Sequence, residues 1–475
     1  MGLLQIGASI LTALLIGALT RGTLRTYLLL AFSVLAVYWF QPLIPLRSFD
    51  FWFPSLTLVL VVLTWFVTSQ PDAWRSSPNL TALLIILGIP AAIALLRYVL
   101  PDPILTATTP PQFFQFLLFI LVSSVLVFTF GWTSHHYVWV AGITILLLIA
   151  ILVVLKTPAL SLQTSIFFRM LANRSAEAAT FNDLRWLGIS YIAFRLIHVL
   201  RDKQMGRLPE LTLPQFATYV VFFPSLAAGP IDRAERFTQD LNKDFALTQE
   251  ETLLGGQRIV LGLFKKFVVA DTLAILALND ALATQVRTAG WMWIVVYAYT
   301  FQIYFDFSGY TDIAIGIARL VGIRLPENFA APYTRPNLSQ FWNSWHMTLT
   351  QWFRSYFFNP FNRWMRGLKD IPAWGMILAG QVATMVLIGL WHGITLNFIF
   401  WGVWHGLGLF LQNRWSDFIR TRYPNVGQDP RLQPALRISG ILLTFHFVAL
   451  GWVFFALSEP SLSWQVFLAL SGVSR

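Results

Sequence analysis

Two stretches, Phe113 to Phe130 and Val138 to Leu155, run without a single charged side chain. Each approaches the roughly 20 apolar residues that a helix needs to cross the hydrocarbon of a bilayer. No other feature of the chain narrows its possible folds as far. Leu56 to Thr68 and Leu80 to Leu96 have the same character. Further candidates are Leu3 to Leu19, Thr26 to Phe40, Trp186 to Leu200, Trp291 to Phe305, Thr384 to Leu411 and Ile438 to Leu457. Only 12% of the 475 residues are charged, against 56% hydrophobic, and mean hydropathy is +0.63. A soluble domain carries about twice that charged fraction. The expected class is all-α, a polytopic transmembrane helical bundle of about ten to thirteen spans plus re-entrant segments.

Residues 1–475 are expected to form a single integral-membrane domain. The first 155 residues read as simple spans joined by proline-rich loops such as Pro42 to Pro45 and Pro101 to Pro111, which makes them scaffold. After about residue 180 the apolar runs shorten and are interrupted by Gly, Pro, Asn, Asp and His. Polar or irregular backbone at membrane depth is tolerated only when protein surrounds it or a wet cavity receives it. The functional cavity is therefore expected in the C-terminal two-thirds. The net charge of +11 sits in short loops: Arg21 and Arg25, Arg201 to Arg207, Arg354 to Lys369, and Arg414 to Arg437. Basic residues so placed set orientation and contact anionic lipid, not nucleic acid. The Arg21–Arg25 loop is expected on the cytoplasmic face. With no cysteine in the chain, disulfides, Cys-zinc sites, iron–sulfur clusters and acyl-cysteine intermediates are excluded. The first apolar segment lacks a basic leader and reads as a retained span.

His392 closes the apolar run that begins at Met385, flanked by Gly389 and Gly393. An imidazole in or beside hydrocarbon is costly unless it has a partner or a task, and its near-neutral pKa suits general-base work. On a continuous helix His405 would point about 220° away and Asn397 about 140° away, so neither is a same-face companion. A second histidine, His346, lies 46 positions upstream. On a helix expected from Ser339, residues Asn343, His346 and Thr350 share one face, with Trp342, Trp345 and Trp352 around them. The residues alone leave each histidine either functional or structural. Asp306 and Asp312 stand six apart, about 240° around a helix, which argues against a carboxylate dyad; an ion pair with Arg319 or Arg324 is expected for at least one of them. Phe222 to Ile231 is apolar but too short to span and carries Pro224 and Pro230, as a re-entrant segment, a broken helix or a buried loop would. Three prolines between Pro326 and Asn337 make that stretch a loop.

Taken together, Trp186 to Tyr191, Phe223 to Ile231, Tyr304 to Gly316, Glu327-Asn328-Phe329, Phe341 to Thr350 with Trp352-Phe353-Arg354, Gly389 to Gly393 and Gly451 to Phe455 resemble the membrane-bound O-acyltransferase family, in family order over about residues 180 to 457. The resemblance implies a bundle around a central funnel or tunnel, with His392 as the catalytic general base. It implies that His346, with Asn343 beside it, positions donor or acceptor, and that Trp345 and Trp391 shape the tunnel. The Trp345 to Leu349 and Trp352 to Arg354 stretches are similar to the bacterial branches that acylate exported polymers, those of alginate O-acetylase and the teichoic-acid D-alanyl transfer protein. The run Ser355 to Asn362 departs from the alginate-type branch, lacking its glycine-rich turn, and leaves the acceptor and any docking partner open.

The resemblance further implies transfer of an acyl group, acetyl before D-alanyl, to a hydroxyl of an extracytoplasmic polysaccharide or cell-envelope glycopolymer. The donor would be a thioester, acetyl-CoA or an acyl carrier protein, arriving from the cytoplasmic side. An extracytoplasmic relay protein is an alternative immediate acceptor. No bound cofactor, metal or nucleic acid is expected, and the setting is the inner or plasma membrane. A polymer or lipid transporter is a reading of a different class, since broken helices and intramembrane acids fit it too. Its usual mark, a repeated pair of interrupted segments, is absent from the sequence. A non-catalytic membrane scaffold is a third.

Overall fold

The computed structural model describes residues 2–368, 371–424 and 429–473; Lys369, in one of the basic loops, lies outside them. Every regular element among the described residues is helical. Among the described residues, seven helices are long and apolar enough to cross a membrane: Gly22–Trp39, Phe49–Thr68, Ser77–Leu96, Phe113–Ser134, Trp139–Lys156, Ala373–His392 and Gln433–Ala456. The chain is a multi-pass membrane protein.

That count is smaller than the ten to thirteen expected, for physical reasons. Leu3–Leu19 is apolar but shorter. Trp186 to Leu200 falls largely in the Ile189–Gln204 helix, where Ile189 and every residue from Tyr191 to Leu200 are buried. A helix buried on all sides is a core element, not a lipid-facing one. Trp291 to Phe305 belongs to a 32-residue helix, Ala289–Leu320, whose tyrosines, tryptophans, Gln302 and two acids dilute its hydropathy. Thr384 to Leu411 is not one segment but two, broken between His392 and Leu396.

The chain divides into two compact units, Met1–Ile259 with Ile313–Pro326, and Val260–Asp312 with Glu327–Arg475. The first holds five of the seven candidate spans. Its Phe113–His136 and Trp139–Lys156 helices turn Leu117, Leu118, Leu121, Val125, Leu146 and Leu147 outward, apolar faces that belong in hydrocarbon.

Two fully buried arginines organise this unit. Arg25, on the Gly22–Trp39 helix, donates through Nη2 to the carbonyls of Asp240, Leu241 and Lys243 at 3.1, 2.7 and 3.0 Å. These carbonyls lie at and just past the end of the Ala234–Asn242 helix, where, among the described residues, only Asp240 O also receives a backbone donor, from Lys243 N at 3.3 Å. Arg25 is thus a helix cap in the core, and its charge is no guide to which loop faces the cytoplasm. Arg195 does the same elsewhere: Nη1 donates to Val220 O at 2.7 Å, and Nη2 to Ser225 O and Oγ at 2.9 and 2.7 Å. It thereby holds the Phe222 to Ile231 stretch as a broken helix: Leu213–Val221 ends, and a buried 3-10 turn, Phe223–Ser225, follows.

Between Leu171 and Ile189 the chain is anchored by Asp183, which accepts from Ser165 Oγ at 2.6 Å, Arg169 Nη2 at 2.9 Å and Thr180 Oγ1 at 2.6 Å. Burial pushes this carboxyl up, but the donors from Ser165, Thr180 and Arg169 prevail and hold it down at about 2. A carboxyl whose folded pKa is depressed contributes stability above its unfolded pKa, and that contribution fades as pH falls through the folded value. Asp183→Asn should therefore cost about 2 kcal/mol at pH 7. The deficit should narrow as pH falls from about 4 toward 2; thermal unfolding in detergent across that range reads it.

The second unit is built around the antiparallel pair Ala373–His392 and Leu396–Arg422. Their backbones meet at glycines. A Cβ on Gly402 would lie 2.5 Å from Val386 Cα, and one on Gly406 2.6 Å from Val382 Cα. These two form a Gly-x-x-x-Gly pair, which lets helices approach closely where no hydrophobic effect drives them together. Gly389, beside His392, is likewise filled by backbone, since its Cβ would meet Phe398 O at 2.2 Å. Gly402→Leu should lower stability in detergent by about 3 kcal/mol through forced separation of the pair. Gly142→Leu, where a Cβ meets open space, is the control expected to change little.

Candidate active site

The polar strip expected from Ser339 onward is not one helix. Leu338–Trp342 is a short helix capped by the Asn337 side chain, and Met347–Phe353 is another. Between them the N–H groups of Ser344 and Trp345 both bond Phe341 O at 2.8 Å, and His346 takes a left-handed conformation, φ +40°. Asn343 and His346 therefore do not share a helical face. A left-handed residue other than glycine costs roughly 1–2 kcal/mol, and what offsets it is Asn328. That buried side chain accepts through Oδ1 from Thr348 Oγ1 at 2.7 Å, Thr348 N at 3.3 Å and His346 Nδ1 at 3.3 Å. The Asn328 carbonyl accepts from Met347 N at 3.0 Å.

This cluster fixes the His346 tautomer. An amide oxygen only accepts and the Thr348 N–H only donates, so Oδ1 faces the cluster and His346 Nδ1 carries the proton. The neutral ring then presents an acceptor at Nε2. Asn328 lies in the Glu327-Asn328-Phe329 stretch, but nothing in the sequence discloses its role, because its partners lie 18 to 20 residues away. Asn328→Ala would orphan three donors. The expected result is about 2 kcal/mol of lost stability and at least roughly tenfold lower turnover, read by thermal melts and a transfer assay on the same preparation.

His392 is the last residue of its helix, half-buried, with Gly393 extended after it. Its ring packs against Trp391 at 4.5 Å, Phe455 at 4.7 Å, Phe398 at 6.0 Å and Trp401 at 6.2 Å between centroids. Trp391 in turn lies 6.3 Å from His346, which also meets Phe307 edge-on at 4.6 Å. One indole therefore contacts both histidines. Trp345 is buried, stacked on Phe341 at 5.7 Å and close to Phe329 and Trp452 at 5.1 and 5.0 Å.

Asn343 is placed differently. It is exposed, its Oδ1 accepts from Arg354 Nη2 at 2.7 Å, and its NH₂ group is left as donor. It lines a cavity of about 170 Å³ with Ser339, Trp342, Thr350, Arg354 and Gln381. Neither histidine belongs to that lining. Asn397, the other polar residue near His392 in sequence, is buried and donates to Leu457 O at 2.7 Å.

The two acids take lysine partners in place of the arginines expected. Asp312 pairs with Lys265 at 2.6 Å, and Asp306 with Lys266 at 2.5 Å. Lys265 and Lys266 stand in a π-helical turn, Phe264–Ala270, which brings adjacent lysines to two acids on different faces. Arg319 and Arg324 instead both engage Glu251.

The sequence model of MBOAT, the membrane-bound O-acyltransferase family, matches residues 124–450, a stretch that holds both histidines, Asn343, Trp345 and Trp391. The chain is 35% identical over 285 residues to the probable alginate O-acetylase of Pseudomonas aeruginosa, covering 60% of this chain and 51% of that protein. It is 31% identical over 283 residues to the teichoic acid D-alanyltransferase of Bacillus subtilis, covering 58% and 69%. To the peptidoglycan O-acetyltransferase of Helicobacter pylori it is 32% identical over 267 residues, covering 54% and 47%. The chain thus spans about half the length of the alginate and peptidoglycan relatives.

Proposed function

Because the chain belongs to the membrane-bound O-acyltransferase family, we propose that it transfers an acyl group, acetyl in the first instance, from a thioester to a hydroxyl of an extracytoplasmic polysaccharide or envelope glycopolymer. The observation that supports this reading is that one indole, Trp391, contacts both His346 and His392 inside the stretch that matches the family.

His392 takes the proton of the acceptor hydroxyl as its oxygen attacks the thioester carbonyl carbon. A carbon–oxygen bond forms, the carbonyl becomes an oxyanion, and collapse breaks the carbon–sulfur bond. The departing thiolate recovers the proton from the His392 imidazolium, so base and ring are restored. His346 is not the oxyanion donor in its neutral tautomer, because Nδ1–H is committed to Asn328 and Nε2 accepts. It orients a donor group of either substrate. Asn343, with its NH₂ free of the Arg354 contact, supplies donors to whatever enters the adjoining cavity.

The donor is acetyl-CoA or an acyl carrier protein on the cytoplasmic side, the membrane is the inner or plasma membrane, and the acceptor is the polymer itself or an extracytoplasmic relay protein. D-alanyl transfer is the second reading, favoured by the 69% coverage of the Bacillus subtilis relative. Mass spectrometry of the cell envelope with and without the protein should show an ester-linked acetyl group lost on deletion. Loss of D-alanyl ester selects the second reading. An unchanged envelope, with substrate flux in liposomes, would instead favour a transporter.

A further inference from the structure

His405 takes no part in the proton transfers described above, yet it is wholly buried on the Leu396–Arg422 helix. Neither of its ring nitrogens has a hydrogen-bond partner among the described residues. An imidazole always presents polar atoms at both nitrogens, so leaving both unmet in an apolar setting opposes folding. A leucine would occupy similar space without that penalty. Local rules broken at a cost to stability point to work done elsewhere.

The surroundings indicate what that work is. His405 meets Trp342 edge-to-face, 5.1 Å between centroids at 88°, and Trp401 at 5.0 Å and 57°. Trp401 continues to His392 at 6.2 Å, and Trp342 forms part of the wall of the Asn343 cavity. Edge-to-face contacts between rings are directional, because a positive edge seeks a negative face; an aliphatic side chain has no such preference. The opposing helix is notched to receive the ring: a Cβ on Gly451 would lie 2.6 Å from His405 Nε2. The imidazole is therefore seated, not loosely packed.

We infer that His405 is a positioning residue, one that through Trp401 sets the angle of the His392 ring and through Trp342 sets the wall of the adjoining cavity. The inference rests on the acyltransferase reading for its effect on turnover, but not for its effect on His392 itself.

The test compares wild type, H405L and G451A as full-length protein in detergent, with H392A as the inactive reference. [14C]acetyl-CoA is the donor, and envelope material from cells lacking the protein is the acceptor. In H405L the melting temperature should not fall below wild type, while kcat drops at least about tenfold and KM for acetyl-CoA stays within about twofold. G451A, which keeps the imidazole but pushes it off its seat, should lower kcat in the same direction. Independently of turnover, the rate at which diethyl pyrocarbonate modifies His392, read by peptide mass spectrometry, should change at least about threefold in H405L. Wild-type kcat together with an unchanged His392 modification rate overturns the inference. So does H405L protein that fails to accumulate or melts well below wild type, since the ring would then serve the fold alone. If wild type itself transfers no label, the acetyl-CoA reading fails while the His392 modification rate still decides the role of His405.

Discussion

Replacing His392 by alanine is expected to lower acyl transfer by roughly 10²–10⁴-fold, the usual worth of a positioned general base. Membrane insertion should be unchanged. The ring is half-buried and rests on Trp391, Phe398 and Phe455, so its loss leaves a partly open space instead of an unpaired charge. The stability cost should stay near 1 kcal/mol. If the hydroxyl is deprotonated by His392, the loss appears in kcat and in kcat/KM alike, because the proton moves only in the transition state. Radiolabel transfer by purified protein, with a melting curve on the same sample, separates a chemical defect from a folding one. Full residual activity in well-folded H392A would remove His392 from the mechanism.

The largest stability effect is expected at Arg195, far from either histidine in sequence. Arg195→Leu would strand the carbonyls of Val220 and Ser225, and the Ser225 hydroxyl, in a site where all these groups are buried. Each buried acceptor left unmet costs about 1–3 kcal/mol, so a total of about 4 kcal/mol follows. That is a large part of the stability of most domains. Arg195→Lys should recover only a fraction, since a single ammonium does not reach two carbonyl sets that a planar guanidinium spans. Chemical denaturation in detergent measures both. An Arg195→Leu protein as stable as wild type would mean that the broken helix holds itself together without the guanidinium.

The elements that were legible in the sequence are those whose signal is local. The Phe113 to Phe130 and Val138 to Leu155 runs announce spans because hydrocarbon tolerates no charge over that length. His392 stood out for the same reason in reverse, as a polar ring at the end of such a run. What was misread depended on partners distant in the chain. The Asn343–His346–Thr350 strip assumed one continuous helix, and the break at His346 depends on Asn328, which supplies acceptors that the helix itself does not. The arginine pair expected for at least one of Asp306 and Asp312 does not form; a π-helical turn 40 or more residues upstream presents lysines to both. Arg25 looked like a loop charge and is a buried cap for a helix some 215 residues away.

The sequence by itself determined the medium and the helical class, because both follow from the cost of placing particular atoms in hydrocarbon; it left each histidine functional or structural, and the choice of His392 as base came from the family resemblance. The tertiary structure alone decided that His346 and His392 contact one indole, that His346 presents an acceptor, and which polar groups cap which helices. The physical reason is that hydrogen bonds and ring contacts are made in space: any of several residues satisfies a buried carbonyl or an aromatic face, and only packing selects among them.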